Sequence, residues 1–177
     1  MRQLGVTTLM IALAGCASAP PTRPAPRPQP NRPVRSLPGA VSAATYVSQA
    51  ASIDLFVVRS CELAALRSVT PTLRRTAEQL LADHQGTASR LSFAGRRLDL
   101  LPSASLLPQH QAMLDELAAS TNFEAAYLRL QRQVHGQGLA LHGDYASRGT
   151  SATLRPVAAN AAAVERRHLE MLRDLRP

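Results

Sequence analysis

Residues 70–91 read TPTLRRTAEQLLADHQGTASRL, and this stretch carries the pattern that decides the fold. It starts with Thr70 and Pro71, a hydroxyl that can cap a helix followed by a proline suited to the first turn. Apolar side chains then recur every three or four residues, which is the spacing of one face of an α-helix. The residues of this stripe are Leu73, Ala77, Leu80, Leu81, His84, Ala88 and Leu91. The pattern predicts an amphipathic helix that continues to about Leu98.

Three further stretches show the same helical spacing. The first runs from about Val41 to Ser68, and a later one ends at Gly149. The later stretch begins with Thr121 and Glu124, whose spacing is typical of a capping box that satisfies free N–H groups in a first helical turn. Alanine, leucine, arginine and glutamine dominate these stretches and favour helix, and no alternating run of residues predicts a strand.

The last long stretch follows Ser151, which we expect to cap it, and contains Pro156, which we expect to bend or delay its first turns. Residues 99–108 read as a loop bounded by prolines, and residues 109–119 read as a short helix. The sequence therefore predicts an all-α domain over residues 40–177, an antiparallel four-helix bundle with a short extra helix in its middle connection. A repeat array is the alternative architecture, but no motif recurs at a fixed period.

The first residues have the features of an export signal. Arg2 precedes an apolar run from Leu4 to Ala14, which is shorter than the roughly 20 residues needed to span a bilayer. The run closes with LAGC at residues 13–16, a pattern typical of bacterial lipoproteins. We predict a signal peptide at residues 1–15 and a Cys16 that carries lipid, including fatty acyl chains such as palmitate. The alternative is an ordinary signal peptide cleaved near Ala19.

Residues 16–39 are predicted to form a disordered tether between the lipid and the domain, because repeated proline prevents regular helix and sheet. The prolines of this segment are Pro20, Pro21, Pro24, Pro26, Pro28, Pro30, Pro33 and Pro38. Its arginines either contact anionic headgroups or cell-wall polymer, or belong to a passive spacer. Ala17 and Ser18 follow Cys16 with no aspartate, so we expect a lipid-anchored protein of the cell envelope, in the outer membrane and facing the periplasm.

The net charge of +8 comes mainly from the first 40 residues. Five of the 20 arginines lie there, all 12 acidic residues lie beyond them, and the chain has no lysine. The remaining 15 arginines leave the domain a formal charge of only +3. No basic stripe is interleaved with aromatic residues, so we predict no nucleic-acid partner. If Cys16 is lipidated, Cys61 has no partner for an internal disulfide.

Residues along the whole domain resemble those of one protein family. The matching residues, in an order and spacing that are specific only together, are Ala50, Ala51, Ala64, Thr70, Pro71, Ala77, Asp83, His84, Leu101, Pro102, His110, Gln111, Leu114, Asp115, Phe123, Tyr127, Gln131, His135, His168 and Leu169. Over residues 43–173 the chain resembles the DUF4142 family of exported bacterial proteins. The resemblance implies a ferritin-like bundle in the envelope, in a family whose biochemical activity is largely undefined.

Two histidines are predicted to point into the bundle. His84 falls near the centre of its apolar stripe, and His168 lies similarly inward on the last helix. His135 and His142 fall toward the flank of the third long helix. Neutral imidazoles from different helices can share a metal ion. Glu165 precedes His168 by three residues, which is the Glu-x-x-His spacing of ferritin-like di-iron proteins.

These residues make a single transition-metal ion the candidate cofactor. Its candidate ligands are two inward histidines and one further residue: His84, His168 and one of Asp54, Glu165 or His135. A di-iron centre is not expected, because it needs several carboxylates. Leu81 stands three residues before His84 where glutamate would be needed, and Val57 stands where many members of the resembled family carry one.

The same residues also fit a purely structural role. A core histidine often donates a ring proton to a neighbouring acceptor and fixes packing. Cys61 is either a soft thiolate ligand or a small buried apolar residue. Asp83 is expected to be a surface charge, and His110 is expected to cap the short helix.

Three functions follow from these observations. The main one is a non-enzymatic envelope lipoprotein, related to stress, whose bundle binds an envelope protein or contacts the cell wall. The alternative is a periplasmic metal-binding or redox-protective protein with a mononuclear histidine site. A carrier of a small ligand is the third. The sequence has no Gly-rich phosphate loop, no nucleophile elbow and no Cys-x-x-Cys pair, so no catalytic residue is assigned and an enzyme is not favoured.

Overall fold

The structure is a computed structural model that describes residues 41–176. Over this range the chain forms five helices and no strand: α1 (Ala43–Arg67), α2 (Pro71–Arg96), α3 (Pro108–Ala119), α4 (Phe123–Arg148) and α5 (Arg155–Arg173). The predicted all-α class is confirmed, with α3 as the short extra helix in the middle connection. The predicted signal peptide, Cys16 and the tether lie outside the described residues.

The four long helices form an antiparallel bundle. The short turn between α1 and α2 reverses the chain, so that Asp54 of α1 meets His84 of α2. Tyr46 near the start of α1 meets His142 in the second half of α4, whereas Cys61 meets Tyr127 in the first half. Helices α2 and α4 therefore run in the same direction, and the long connection that contains α3 joins them, as in ferritin-like bundles.

Three helix starts differ from the sequence prediction. Thr70 stands at the N-cap of α2, but its hydroxyl makes no cap bond and donates to Glu124 instead. The cap of α4 is Asn122, whose side chain accepts the N–H of Ala125, and not Thr121. Glu124 does not close a capping box, because its carboxylate instead accepts hydrogen bonds from Ser68 and Thr70 in the turn between α1 and α2. These bonds tie the start of α4 to that turn and hold the pKa of Glu124 down at about 2.

The start of α5 is delayed beyond the predicted cap. Ser151 accepts the N–H of Leu154, but this bond closes a preceding turn, and α5 begins at Arg155. Pro156 lies in the first turn of α5, where a missing N–H removes no helical hydrogen bond. The proline therefore sets where the helix begins and does not bend it.

The apolar core is divided into two clusters along the bundle. One lies where α1 begins and includes Tyr46 and Tyr145, whose rings stack with centroids 3.9 Å apart. The other lies toward the opposite end and includes Phe56, Tyr127 and Leu172. Polar side chains are also buried: Asp54, His84, Thr87, His135, His142, Glu165 and His168. Because buried polar groups destabilise a fold unless they find partners, this group requires an explanation.

Among the described residues, no helix is both long and apolar enough to cross a membrane.

Candidate metal centre

Four side chains from three helices meet inside the bundle. They are His84 from α2, His135 from α4, and Glu165 and His168 from α5. Each offers one nitrogen or carboxylate oxygen, and these four atoms all lie within 4.8 Å of one another. None of the four residues is more than 1% exposed. We call this group the histidine cluster.

The spacing of the imidazole nitrogens matches that of ligands around one ion. His135 Nε2 lies 3.3 Å from His84 Nε2 and 3.2 Å from His168 Nδ1. Two nitrogens bound to one tetrahedral ion at about 2.0–2.1 Å would lie about 3.3–3.4 Å apart. The two pairs that His135 Nε2 makes are therefore already at the separation of ligands around one small metal ion.

Acceptors on the outer side of the cluster orient all three rings. His84 Nδ1 lies 2.8 Å from the Asp54 carboxylate, and His168 Nε2 lies 2.9 Å from that of Asp83. His135 Nδ1 lies 2.7 Å from the backbone carbonyl of Gln131. Since carbonyl and carboxylate oxygens only accept, each outer nitrogen carries the proton and donates. The three inner nitrogens of neutral rings then present lone pairs to one another, as in metal sites whose histidines are oriented by outer partners.

Electrostatics keeps two of these rings neutral. Burial lowers the pKa of His135 well below its usual range, and the nearby His84 lowers it further. Burial also lowers the pKa of His168 to about 4, although the hydrogen bond to Asp83 opposes this shift. His84 differs, because its bond to Asp54 and the nearby Glu165 outweigh burial and raise its pKa.

Glu165 is a buried carboxylate whose Oε2 has no hydrogen-bond partner among the described residues. This oxygen lies 3.9 Å from His135 Nε2, and Oε1 lies 3.7 Å from His142 Nε2. Burial raises the pKa of Glu165 to about 8. A buried polar atom without a partner destabilises the fold, and a metal ion beside the inner nitrogens would supply that partner.

Gly138 makes room for this carboxylate. It lies on α4, and a Cβ placed there would overlap the carboxylate of Glu165. By contrast, a Cβ at Gly136 or Gly143 on the same helix meets no atom within 4 Å. The absence of a side chain at position 138 therefore leaves the space that the carboxylate of Glu165 occupies.

The structure gathers four of the five candidate ligands into the cluster. Asp54 is the exception, since it lies outside the cluster, behind His84, and accepts a hydrogen bond from that ring. The hydroxyl of Thr87 donates to the same Asp54 oxygen at 2.7 Å and fixes the carboxylate further. Both His135 and Glu165 lie beside the two inward histidines, whereas the sequence predicts only one additional ligand.

Several expectations from the sequence require correction. His135 and His142 are buried and not flanking, because α4 packs against α1 and α5 together. Asp83 is not merely a surface charge, since it accepts hydrogen bonds from His168 and Arg167. His110 does not cap the short helix, because its Nδ1 is bonded to the hydroxyl of Ser52 at 2.7 Å.

The thiol of Cys61 is not part of the histidine cluster. Its Sγ lies 3.2 Å from the hydroxyl of Tyr127, in the apolar cluster toward the end of α1. Burial raises the pKa of this thiol to about 12, which opposes formation of the thiolate that metal binding requires.

Asp83 and Gly138 are parts of the site that the sequence did not predict. Asp83 directly precedes His84 and belongs to the same matched DUF4142 motif, and this position was the available sign that it is part of the site. Gly138 lies three residues after His135, one turn along the same helix, and its small size was the only hint.

A family model described as "Domain of unknown function (DUF4142)" matches residues 29–175. The chain belongs to the DUF4142 family. No curated protein matches this DUF4142 chain. The family model covers the whole bundle, including all four residues of the histidine cluster.

Two solved structures share the fold of this DUF4142 protein. One is described as "CopM in the Cu(II)-bound form", with 13% identity and a TM-score of 0.65, covering 76% of this chain and 95% of that one. The other is a "DUF305 fragment from Deinococcus radiodurans", with 14% identity and a TM-score of 0.64, covering 73% of this chain and 91% of that one. At these identities the likeness concerns the helical bundle alone.

Proposed function

We propose that this DUF4142 protein binds one transition-metal ion in the histidine cluster. The observation that carries the proposal is that His135 Nε2 lies within 3.3 Å of both His84 Nε2 and His168 Nδ1, while an acceptor holds a proton on the outer nitrogen of each ring. Lone pairs arranged in this way repel one another unless a cation lies between them. Glu165 adds a negative charge and a coordinating oxygen to the three neutral nitrogens.

The donor set favours Cu(II) or Zn(II). Imidazole nitrogens suit both ions, and divalent copper and zinc rank at or near the top of the general affinity order for nitrogen and oxygen sites. A single carboxylate does not suit a di-iron centre, and the cluster contains no sulfur for Cu(I). The Cu(II)-bound state of the structural neighbour CopM supports copper as one of the two candidates.

The burial of the cluster favours sequestration of the ion over catalysis. Four protein ligands complete a tetrahedral site, and a catalytic site usually keeps one position for water or substrate. The ligands are no more than 1% exposed, so a bound ion would be shielded from solvent. We therefore favour a non-enzymatic role in metal binding, with protection against free metal as its consequence.

The test is a metal titration of the full chain. The protein is stripped with a chelator, exposed in turn to Cu²⁺ and Zn²⁺, passed through a desalting column and analysed for metal content. We expect close to one ion per chain for at least one of the two metals, and Cu²⁺ should show the absorption and electron paramagnetic resonance of nitrogen ligation. Chains that retain neither metal under these conditions would contradict the proposal.

Metal affinity should increase with pH up to about pH 8. Glu165, with a pKa of about 8, and His84, with a raised pKa, both bind protons that the ion must displace. His168, with a pKa of about 4, is already neutral and releases none. About one proton from Glu165 should therefore be released per ion near neutral pH, and any proton bound to His84 adds to it. Calorimetry in buffers of different ionisation enthalpy counts them, and an affinity that does not vary between about pH 6 and 8 would rule out this protonation scheme.

We also propose that the protein is held in the cell envelope by lipid on Cys16, through the LAGC pattern at residues 13–16. Replacing Cys16 with serine should move the protein from the membrane fraction to the soluble fraction of the cells that produce it. Fractionation followed by immunoblotting measures this, and an unchanged distribution would argue against lipidation. The expected partners in this location are the membrane itself, an envelope protein or the cell wall.

A further inference from the structure

One end of the bundle has an excess of positive charge. At this end α1 begins, α2 ends and α5 begins, and we call it the basic end. It carries four exposed arginines, none of them in an ion pair within the described part of the chain: Arg90, Arg96, Arg97 and Arg155. Arg148 at the end of α4 is paired with Asp144. Asp99 is the exposed acidic residue in the turn that follows α2.

Apolar side chains protrude among these arginines. Phe93 is 62% exposed, and Leu101 in the loop after α2 is 71% exposed. Between Arg90 and Arg97 lies an open groove of about 600 Å³, which the ring of Phe93 and the side chains of α5 line. Protruding large apolar groups surrounded by cations are the composition expected of a surface that meets both headgroups and acyl chains.

The opposite end of the bundle lacks this charge excess. It also exposes large apolar side chains, Leu66 and Val69. Acidic residues are interspersed with its arginines there: Glu62, Glu78, Glu170 and Asp174. The two ends therefore differ in charge and not in apolar exposure, which provides a matched comparison.

We propose that the basic end docks on an anionic lipid bilayer. The charge of the surface is complementary to acidic headgroups, and the exposed ring of Phe93 can enter the layer beneath them. The chain also enters the bundle at this end, at Ala43, after a segment that contains four more arginines: Arg23, Arg27, Arg32 and Arg35. The proposal is independent of the metal ion and does not require Cys16 to be lipidated.

The expected contribution to membrane binding follows from the number of arginines and apolar side chains that contact the bilayer. Each arginine near an anionic surface contributes about fivefold to membrane partitioning. Two arginines together with Phe93 should therefore contribute at least about twentyfold. Attraction between headgroups and arginines weakens as salt increases, so binding should also fall with ionic strength.

The experiment is co-sedimentation of the full chain carrying Cys16→Ser with lipid vesicles. The vesicles are phosphatidylcholine alone, or phosphatidylcholine with about one-third phosphatidylglycerol. The test variant combines Arg90→Ser, Phe93→Ser and Arg97→Ser. The matched control combines Leu66→Ser, Arg74→Ser and Arg75→Ser at the opposite end. Both remove two arginines and one exposed apolar residue and keep the upstream arginines, and circular dichroism checks that both fold.

We expect the parent to bind the anionic vesicles and not the neutral ones. The test variant should lose at least about twentyfold in binding, and the control should stay within about threefold of the parent. Three results would each overturn the proposal: no binding by the parent, an equal loss in both triple variants, or no loss in the test variant. An equal loss would mean that total charge determines binding. No loss would mean that the upstream arginines are sufficient for binding to the anionic vesicles.

Discussion

Replacing His135 with alanine is expected to lower the affinity for Cu²⁺ or Zn²⁺ by about a hundredfold to a thousandfold. His135 Nε2 is the nitrogen that lies next to both other inner nitrogens, at 3.3 and 3.2 Å. Four-ligand zinc sites bind with about 10–16 kcal/mol, so one ligand accounts for about 2.5–4 kcal/mol. Competition with a chelator of known affinity measures the loss.

His110 provides a matched control for this variant. It is also a buried histidine, but its ring is bonded to Ser52 and lies outside the histidine cluster. Replacing His110 with alanine removes the same chemical group from the interior and should leave metal affinity within about threefold of the parent. If the two variants lose affinity equally, the loss reflects damage to the fold, and the cluster is not the binding site.

Replacing Gly138 with alanine should disrupt the site from a residue that binds nothing itself. The added methyl group would overlap the carboxylate of Glu165, so either the carboxylate leaves the cluster or α4 and α5 separate. We expect metal affinity to fall at least about tenfold, as for loss of an outer partner, and the metal-free protein to lose about 1–3 kcal/mol of unfolding free energy. Chelator competition and urea unfolding measure the two effects.

Gly136, on the same helix, is the control for position 138. A Cβ there meets no atom within 4 Å, and alanine favours helix over glycine by about 0.5–1 kcal/mol. Replacing Gly136 with alanine should therefore stabilise the protein slightly and leave metal binding unchanged. Full metal affinity in the Gly138→Ala variant would contradict the prediction that the space at position 138 holds the Glu165 carboxylate in the site.

The helices could be predicted because their signals are local. The apolar spacing of residues 73–91 and the proline at position 71 are properties of neighbouring residues, and α2 begins at Pro71 as expected. The start of α4 was misplaced because Glu124 finds its partners in the turn between α1 and α2, more than fifty residues earlier in the chain. The spacing of residues along the sequence does not indicate a hydrogen-bond partner that lies so far away in the chain.

The site could be predicted only in part, for the same reason. The inward direction of His84 and of His168 follows from the apolar stripe of the helix that carries each residue, and both side chains are buried in the structure. The burial of His135 depends on two helices packing against α4, and the role of Asp83 depends on α5 lying beside α2. The burial of His135 and the role of Asp83 both result from how the helices pack in the assembled bundle. The amino-acid pattern of a single helix does not predict either of them.

The histidine cluster draws His84 from the first helical hairpin, and His135, Glu165 and His168 from the second. An ion bound there would cross-link two halves of the bundle that are otherwise connected in sequence only through the long segment containing α3. Loading the metal should therefore slow the transient parting of the hairpins, and amide protons along the seam between α2 and α5 should exchange with solvent more slowly. The rigidity of the protein interior would in this way depend on the concentration of the metal.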